Sequence, residues 1–255
     1  MEQAFQLPCG NMKIPCKLSV PADGMIRRVV LGVHGFGGSM DDEIQVGIAE
    51  EMEFFRSATV RFDFPAHGQN NAPGTELSVR GCVDTLTTVA SYAKERFPEV
   101  EDLCIFASGF GAYITLISLE DLLALPGRIR LVIQTPSLLM HETMLAMAGL
   151  TRETFRALDR YTIRRTPLLE ITYRFYEELR QNIALNTYPI PMLILHGESD
   201  SFIPMEDIQN FHRINERSQL VIIPSTSHRF LEEGAWDMVL DLTRDWFEFE
   251  QVLLM

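Results

Sequence analysis

The sequence predicts an α/β chain built on a mostly parallel, doubly wound sheet. Three observations carry that reading. Short apolar runs, such as Arg28–Val33 and Pro189–Leu195, alternate with stretches of helical periodicity. The runs are continuous rather than alternating, as strands covered on both faces require. Several runs end in loops rich in glycine, histidine or acids, at the strand ends where open α/β sheets place ligands.

Length and composition bound the answer. The 255 residues, 46% hydrophobic and 22% charged, suit one domain over residues 1–255 with room for an insertion. A net charge of −13 disfavours nucleic acid and anionic membrane surfaces as partners. The N-terminal Met1-Glu2-Gln3-Ala4 opens no secretory signal, and no uncharged apolar run is long enough to span a bilayer. Cys9, Cys16, Cys82 and Cys104 have no metal-ligand spacing and read as reduced thiols of a cytoplasmic protein.

Taken in order, residues 12–20 alternate loosely and suggest an early edge strand, with Pro15 and Pro21 suited to an edge. Arg28–Val33 is a buried strand ending in His34-Gly35-Phe36-Gly37-Gly38. Asp41-Asp42-Glu43 opens a helix to about Phe55, with acids at the positive end of its dipole. Ala58–Phe62 is the next strand and leads into the loop Asp63-Phe64-Pro65-Ala66-His67-Gly68. Ser78–Phe97 has helical spacing of Val79, Val83, Leu86, Val89, Ala90 and Ala93. Leu103–Phe106 is a strand, the apolar run Tyr113–Leu119 a helix, and Arg128–Gln134 a further buried strand. From about 136 to 188 the pattern turns helical with no strand signal, which reads as a cap inserted at one edge of the sheet. Strands follow at Pro189–Leu195 and Gln219–Ile223, with helices at Met205–Ile214 and Trp236–Phe249.

The organising stretch is Ala107-Ser108-Gly109-Phe110-Gly111, where a strand turns sharply into a helix. Such a turn needs small residues on both sides, which Ala107 and Gly111 supply. The residue between them is Gly109, and glycine adopts the strained backbone of such a turn without a Cβ clash. Ser108 is the alternative nucleophile, but its frame would place Phe106 and Phe110 where strand and helix nearly touch.

With these motifs the chain resembles the α/β-hydrolase superfamily, and most of all its small capped esterases and serine-aminopeptidase-like members. The resemblance rests on the His34–Gly38 and Asp63–Gly68 loops, the elbow at 107–111, and His196-Gly197-Glu198-Ser199-Asp200 with His228 downstream. It implies Asp200 as the acid that orients a general base, His228 as that base, and the Phe36 and Phe110 backbone N–H groups as an oxyanion hole. It places Gly109 where the family's serine stands. His34, His67 and His196 read as structural, and His141 and His212 as surface residues. No Walker-type lysine, dinucleotide fingerprint or metal spacing is present, so no cofactor or metal is expected. The cap residues Leu138, Leu139, Met140, Met144, Leu145, Met147, Phe155 and Tyr161 are candidates to line an acyl or aromatic pocket. The implied ligand is a small-molecule ester or acyl compound. Three readings stay open: a carboxylic ester hydrolase, a hydrolase-fold binding protein without catalysis, and an esterase carrying a serine-to-glycine change at 109.

Overall fold

Eight strands in the order β1-β2-β4-β3-β5-β6-β9-β10 make one sheet, seen in a computed structural model that describes residues 1–163 and 168–249. β1 (Glu2–Cys9) and β2 (Met12–Ser19) form an antiparallel hairpin. β3 (Arg28–Val33), α1 (Glu43–Phe54) and β4 (Ser57–Phe62) follow, then α2 (Val79–Arg96) and β5 (Asp102–Ser108). Next come α3 (Phe110–Ile117), α4 (Leu119–Leu123) and β6 (Arg128–Gln134). From β3 onward every pairing in this sheet is parallel except that of β4 with β2.

The edge expectation is corrected. β2 pairs with β1 on one side and β4 on the other, so β1 is the edge. Pro15 is tolerated inside because its carbonyl faces β4, where it accepts the Asp63 N–H at 3.1 Å. Its missing N–H faces the same side, just beyond the last β2–β4 pair, Cys16 with Phe62, opposite Asp63 O, which accepts from Asn70 Nδ2 at 3.5 Å instead.

Both faces of the sheet are covered, which is why its strands read as continuous apolar runs. On one face Val30, Phe106, Val132 and Leu193 pack with Ile48 of α1. On the other, Leu31, Ile105, Ile133 and Ile194 pack against Leu86 and Val89 of α2 and Ile114 of α3. α2 begins where Ser78 Oγ accepts the Gly81 N–H at 3.1 Å, a side-chain cap of the kind that fixes a helix start.

Between β6 and β9 the chain forms α5 (Met140–Ala148), α6 (Arg152–Leu158), β7 (Arg160–Ile163), β8 (Leu169–Thr172) and α7 (Tyr173–Gln181). Residues 164–167 of this stretch lie outside the described residues. The expectation of an all-helical segment is corrected by the β7–β8 hairpin, which pairs Arg160 with Thr172 and Ile163 with Leu169. Four-residue strands are too short to establish a period of two against helical flanks. The segment is tied to the sheet: Tyr113 of α3 donates its hydroxyl to Asn182 O at 2.8 Å, and Phe175 of α7 stacks with Phe36 at 6.4 Å. β9 (Met192–Gly197), α8 (Met205–Ile214), β10 (Ser218–Ile223) and α9 (Ala235–Phe249) complete the chain, and α9 joins α1 on its face through Val239 and Phe247.

Chain order positions the site. β4 lies on one side of β3 and β5 on the other, so the loops after β3 and β5 diverge around a crevice at the strand ends. Register keeps those ends level: Val33 pairs with Ala107, Ser108 with Gln134, Gln134 with Leu195, and Gly197 with Ile223.

Candidate active site

The turn after β5 is pinned from both sides. Gly109 has φ +51° and ψ −110° and forms the N-cap of α3. Its N–H donates to Gln134 O at 2.9 Å, and its carbonyl accepts from Tyr113 N at 3.1 Å and Ser137 N at 3.2 Å. Gly109, not Ser108, therefore occupies the left-handed position of the turn, where a side chain would be strained. Gly111 is glycine for another reason. A Cβ there would come within 2.5 Å of His34 O and 2.6 Å of Val33 O, so α3 approaches the end of β3 only without one. A Cβ at Gly109 would meet nothing closer than Gly35 Cα and Ser137 Oγ, each at 3.9 Å. Ser108 is the last residue of β5, and no hydrogen bond joins it to His228 among the described residues.

The loop after β3 is held by neutral polar contacts. His34 Nδ1–H donates to Gly35 O at 2.8 Å, which leaves Nε2 to accept the Phe64 N–H at 3.1 Å. Burial pushes the His34 imidazole down to about 4, against the bond to Gly35 O, so the ring is neutral at physiological pH. Asp63 is fully buried and accepts the N–H groups of Met40 and Gln69, both at 2.7 Å. Burial pushes its carboxyl up to about 6 in spite of those two bonds. His67 Nδ1–H donates to Pro65 O at 2.8 Å, and its ring stacks on Phe110 at 6.2 Å. These two loops meet where the His67 ring packs edge to face on the Phe36 ring at 5.4 Å. The Phe36 and Phe110 rings meet edge to face at 5.4 Å, and both residues line the cleft. The Phe110 N–H is the first amide of α3, which has no acceptor within its own helix.

At the far side of the sheet two loops are zipped together. A Cβ on Gly197 would fall 2.4 Å from Thr226 O, so only glycine allows the approach. Ser199 N donates to Thr226 O at 2.9 Å, and Ser225 N to a Glu198 carboxylate oxygen at 2.8 Å. Across this seam His228 Nδ1 lies 2.8 Å from Asp200 Oδ2. Nδ1–H is the donor, so the Nε2 of the neutral ring carries the lone pair. Asp200 Oδ1 accepts from Phe202 N at 2.8 Å and Ile203 N at 3.0 Å. Desolvation works against ionising this fully buried carboxyl, but His228 and the two amides outweigh it and hold Asp200 below the usual aspartate range.

His228, Gly109, Ser108, Phe36 and Phe110 all line one cleft of about 810 Å³. Met140, Thr143 and Met147 of α5 cover it, and Asp41, Asp42, Glu43 and Arg229 edge it. The expected pocket-lining set is therefore corrected. Only Met140 and Met147 line this cleft, while Leu138 and Leu139 line a separate hollow of about 290 Å³ against Ile203 and Pro204. Met144 and Phe155 are core, and Leu145 and Tyr161 pack on it, because helical stripes of Met and Leu serve packing before they serve a ligand. His141 is not a plain surface residue: its ring lies against Tyr176 at 6.3 Å, half-buried. His212, in the last turn of α8, donates from Nδ1 to Ser218 Oγ at 2.7 Å. His196 is buried, 4.0 Å from Asp200 Oδ2, and its pKa is lowered by that burial.

Sequence reasoning missed Gln134, Thr135 and Ser137, which all line the cleft. Their signal was position, at the C-terminal end of a buried strand level with the elbow. The four cysteines are free thiols, and no group of three His, Cys, Asp or Glu residues among the described residues is placed to hold a metal. No described helix is long and apolar enough to cross a membrane.

No protein-family model matches the sequence, and no curated protein does. Solved structures do match. Est1E from Butyrivibrio proteoclasticus, solved with ferulic acid bound, is similar with a TM-score of 0.84 at 19% identity, over 97% of this chain and 99% of that one. Alpha/beta hydrolase domain-containing protein 10 from mouse gives 0.75 at 15% identity, over 98% and 100% of the two chains. XC6422 from Xanthomonas campestris, an α/β serine hydrolase described as without a lid, gives 0.67 at 17% identity, over 100% and 97%. At such identities the likeness is one of fold.

Proposed function

The chain has the α/β-hydrolase fold, and we propose that its cleft is an acyl-transfer site for a carboxylic ester or a related acyl ligand. The observation that carries this is the His228–Asp200 pair, 2.8 Å apart, in the same cleft as the turn at Gly109. In this reading His228 is the general base, Asp200 fixes its tautomer and stabilises its charged form, and the N–H groups of Phe36 and Phe110 receive the developing oxyanion. The insertion at about 136–188 acts as a cap. Gly109 supplies no oxygen, so the attacking group is water. His228 Nε2 takes a proton from it as the O–C bond forms. The tetrahedral intermediate then expels the alkoxide, which takes the proton back from His228. That Est1E was solved with ferulic acid supports an aromatic acyl ligand, since Phe36, Trp236 and Met140 line the cleft here.

A second reading, binding without turnover, is favoured by Gly109 itself. Both are tested by one series on p-nitrophenyl acetate. The unmodified chain should hydrolyse it slowly, on the order of 10³-fold over water, as sites without a nucleophile do. His228→Ala should abolish that rate. Gly109→Ser should raise it by placing an oxygen between an existing base and an existing oxyanion hole. A soluble, folded Gly109→Ser variant with no hydrolysis, together with ferulic acid raising the melting temperature of the unmodified chain, would establish binding as the better account.

A further inference from the structure

Ser137 is one of two residues that a Cβ at position 109 would meet at 3.9 Å. It follows β6 by three residues and is nine-tenths buried, yet it lines the cleft. Its N–H is spent on Gly109 O at 3.2 Å, which fixes its main chain against the turn. Its Oγ lies 3.9 Å from the point a Cβ at 109 would occupy, and no hydrogen bond to another described residue engages it. Apart from the residues adjoining it in the turn, the only other atom that near among the described residues is Gly35 Cα, which is apolar. A serine oxygen at 109 would stand one bond beyond that point. An oxygen in the same place therefore falls within hydrogen-bond reach of Ser137 Oγ on the side that faces it.

Resting on the hydrolytic reading above, we propose that Ser137 is a positioning residue: with His228 it holds the attacking water in the place left by a serine side chain at 109. The two contacts divide the work. A water has two protons and needs one lone pair aimed at the carbonyl carbon. One proton goes to His228 Nε2, whose lone pair is free because Nδ1–H is bonded to Asp200. The other proton is donated to Ser137 Oγ and stays on the oxygen through the attack. The oxygen forms its bond to the acyl carbon, the C–O bond to the alkoxide breaks, and the proton on His228 leaves with the alkoxide. Ser137 forms and breaks no covalent bond. It orients the water, and a buried hydroxyl does so better than bulk solvent because its partners do not reorganise.

The test separates this role from a structural one and from the hydrolytic reading itself. In a high-resolution crystal structure of the unmodified chain, a water should lie within about 3.2 Å of both Ser137 Oγ and His228 Nε2. It should be lost or displaced in Ser137→Ala. On p-nitrophenyl acetate, Ser137→Ala should lower kcat about tenfold with KM unchanged, the signature of an interaction made in the transition state. Ser137→Thr, which keeps the hydroxyl, should restore most of the rate. In a Gly109→Ser background the same Ser137→Ala change should cost less than about twofold in acylation, because the serine oxygen replaces the water. Equal losses in both backgrounds, or a fluorophosphonate adduct on Ser137 itself, would overturn the proposal. If the water is seen and no ester is turned over, the hydrolytic reading fails while the positioning stands. Turnover that needs His228 and ignores Ser137 leaves the hydrolytic reading intact and removes this one.

Discussion

The two halves of the cleft differ in what they keep. On the side of β9 and β10, Asp200 and His228 are joined by a 2.8 Å bond, backed by two amides and seamed together at Gly197. On the side of β5, the turn is equally well pinned, yet the residue at its apex is a glycine. One half keeps a His–Asp pair, and the other keeps a pinned turn that presents no side chain. The main-chain architecture of the turn thus needs no side chain at its apex. The turn is held by amide and carbonyl bonds to Gln134, Tyr113 and Ser137, none of which involves the side chain of residue 109.

The sharpest way to break that contrast acts on the intact half. Asp200→Asn in a Gly109→Ser background should lower kcat on the order of 10³- to 10⁴-fold, because the wrong imidazole tautomer then faces the new serine. The acylation rate from stopped-flow kinetics measures it. A loss below tenfold would mean that the pair is not working as base and orienter.

Next in size is the contrast within the turn. Gly111→Ala should destabilise by about 3 kcal/mol or more, since its Cβ meets the backbone carbonyls of His34 and Val33, which cannot yield. Gly109→Ala should cost less, about 1–3 kcal/mol, because it has room and suffers only the strain of φ +51°. Urea unfolding of the two variants side by side decides it, and equal costs would show that space is not the difference.

The smallest effect concerns the braces under the loop after β3. His34 and His67 are held down by burial to about 4 and about 3, whereas in the unfolded chain they titrate near 6.5. Between pH 6.5 and 4 the unfolded state therefore takes up protons that the folded state refuses, and both residues lose stability as pH falls. Asp63, raised by burial to about 6 from 3.8, has the opposite sign. The folded state binds its proton first, so Asp63 adds stability as pH falls from about 6 to about 4. Two losing groups against one gaining leave a net slope of at most about 1.4 kcal/mol per pH unit in that window. Asp63→Asn should steepen the slope, whatever it does to stability at pH 7. Unchanged slopes in urea titrations at pH 4.5, 5.5 and 6.5 would refute this balance.

Much of this was legible in the sequence. Continuous apolar runs named the buried strands, and Ala107 with Gly111 located the turn, because each pattern is written in residues a few positions apart. The β7–β8 hairpin escaped since Arg160–Ile163 and Leu169–Thr172 are too short to show a period. The position of β2 escaped because Pro15 looks like an edge residue until one knows which side its carbonyl faces.

By itself the sequence determined the fold class, the order of the sheet's parallel strands and the residue types along the sheet's C-terminal edge. These follow from local periodicity and from the conformations that glycine and proline allow or forbid. Only the tertiary structure decided that Gly111 is crowded and Gly109 is not, that Met140 and Met147 meet the cleft while Met144 and Phe155 do not, and that Ser137 faces the turn at 109. Those distances are set by strand register, which brings together residues that are remote in the chain, and no pattern within a few residues encodes them.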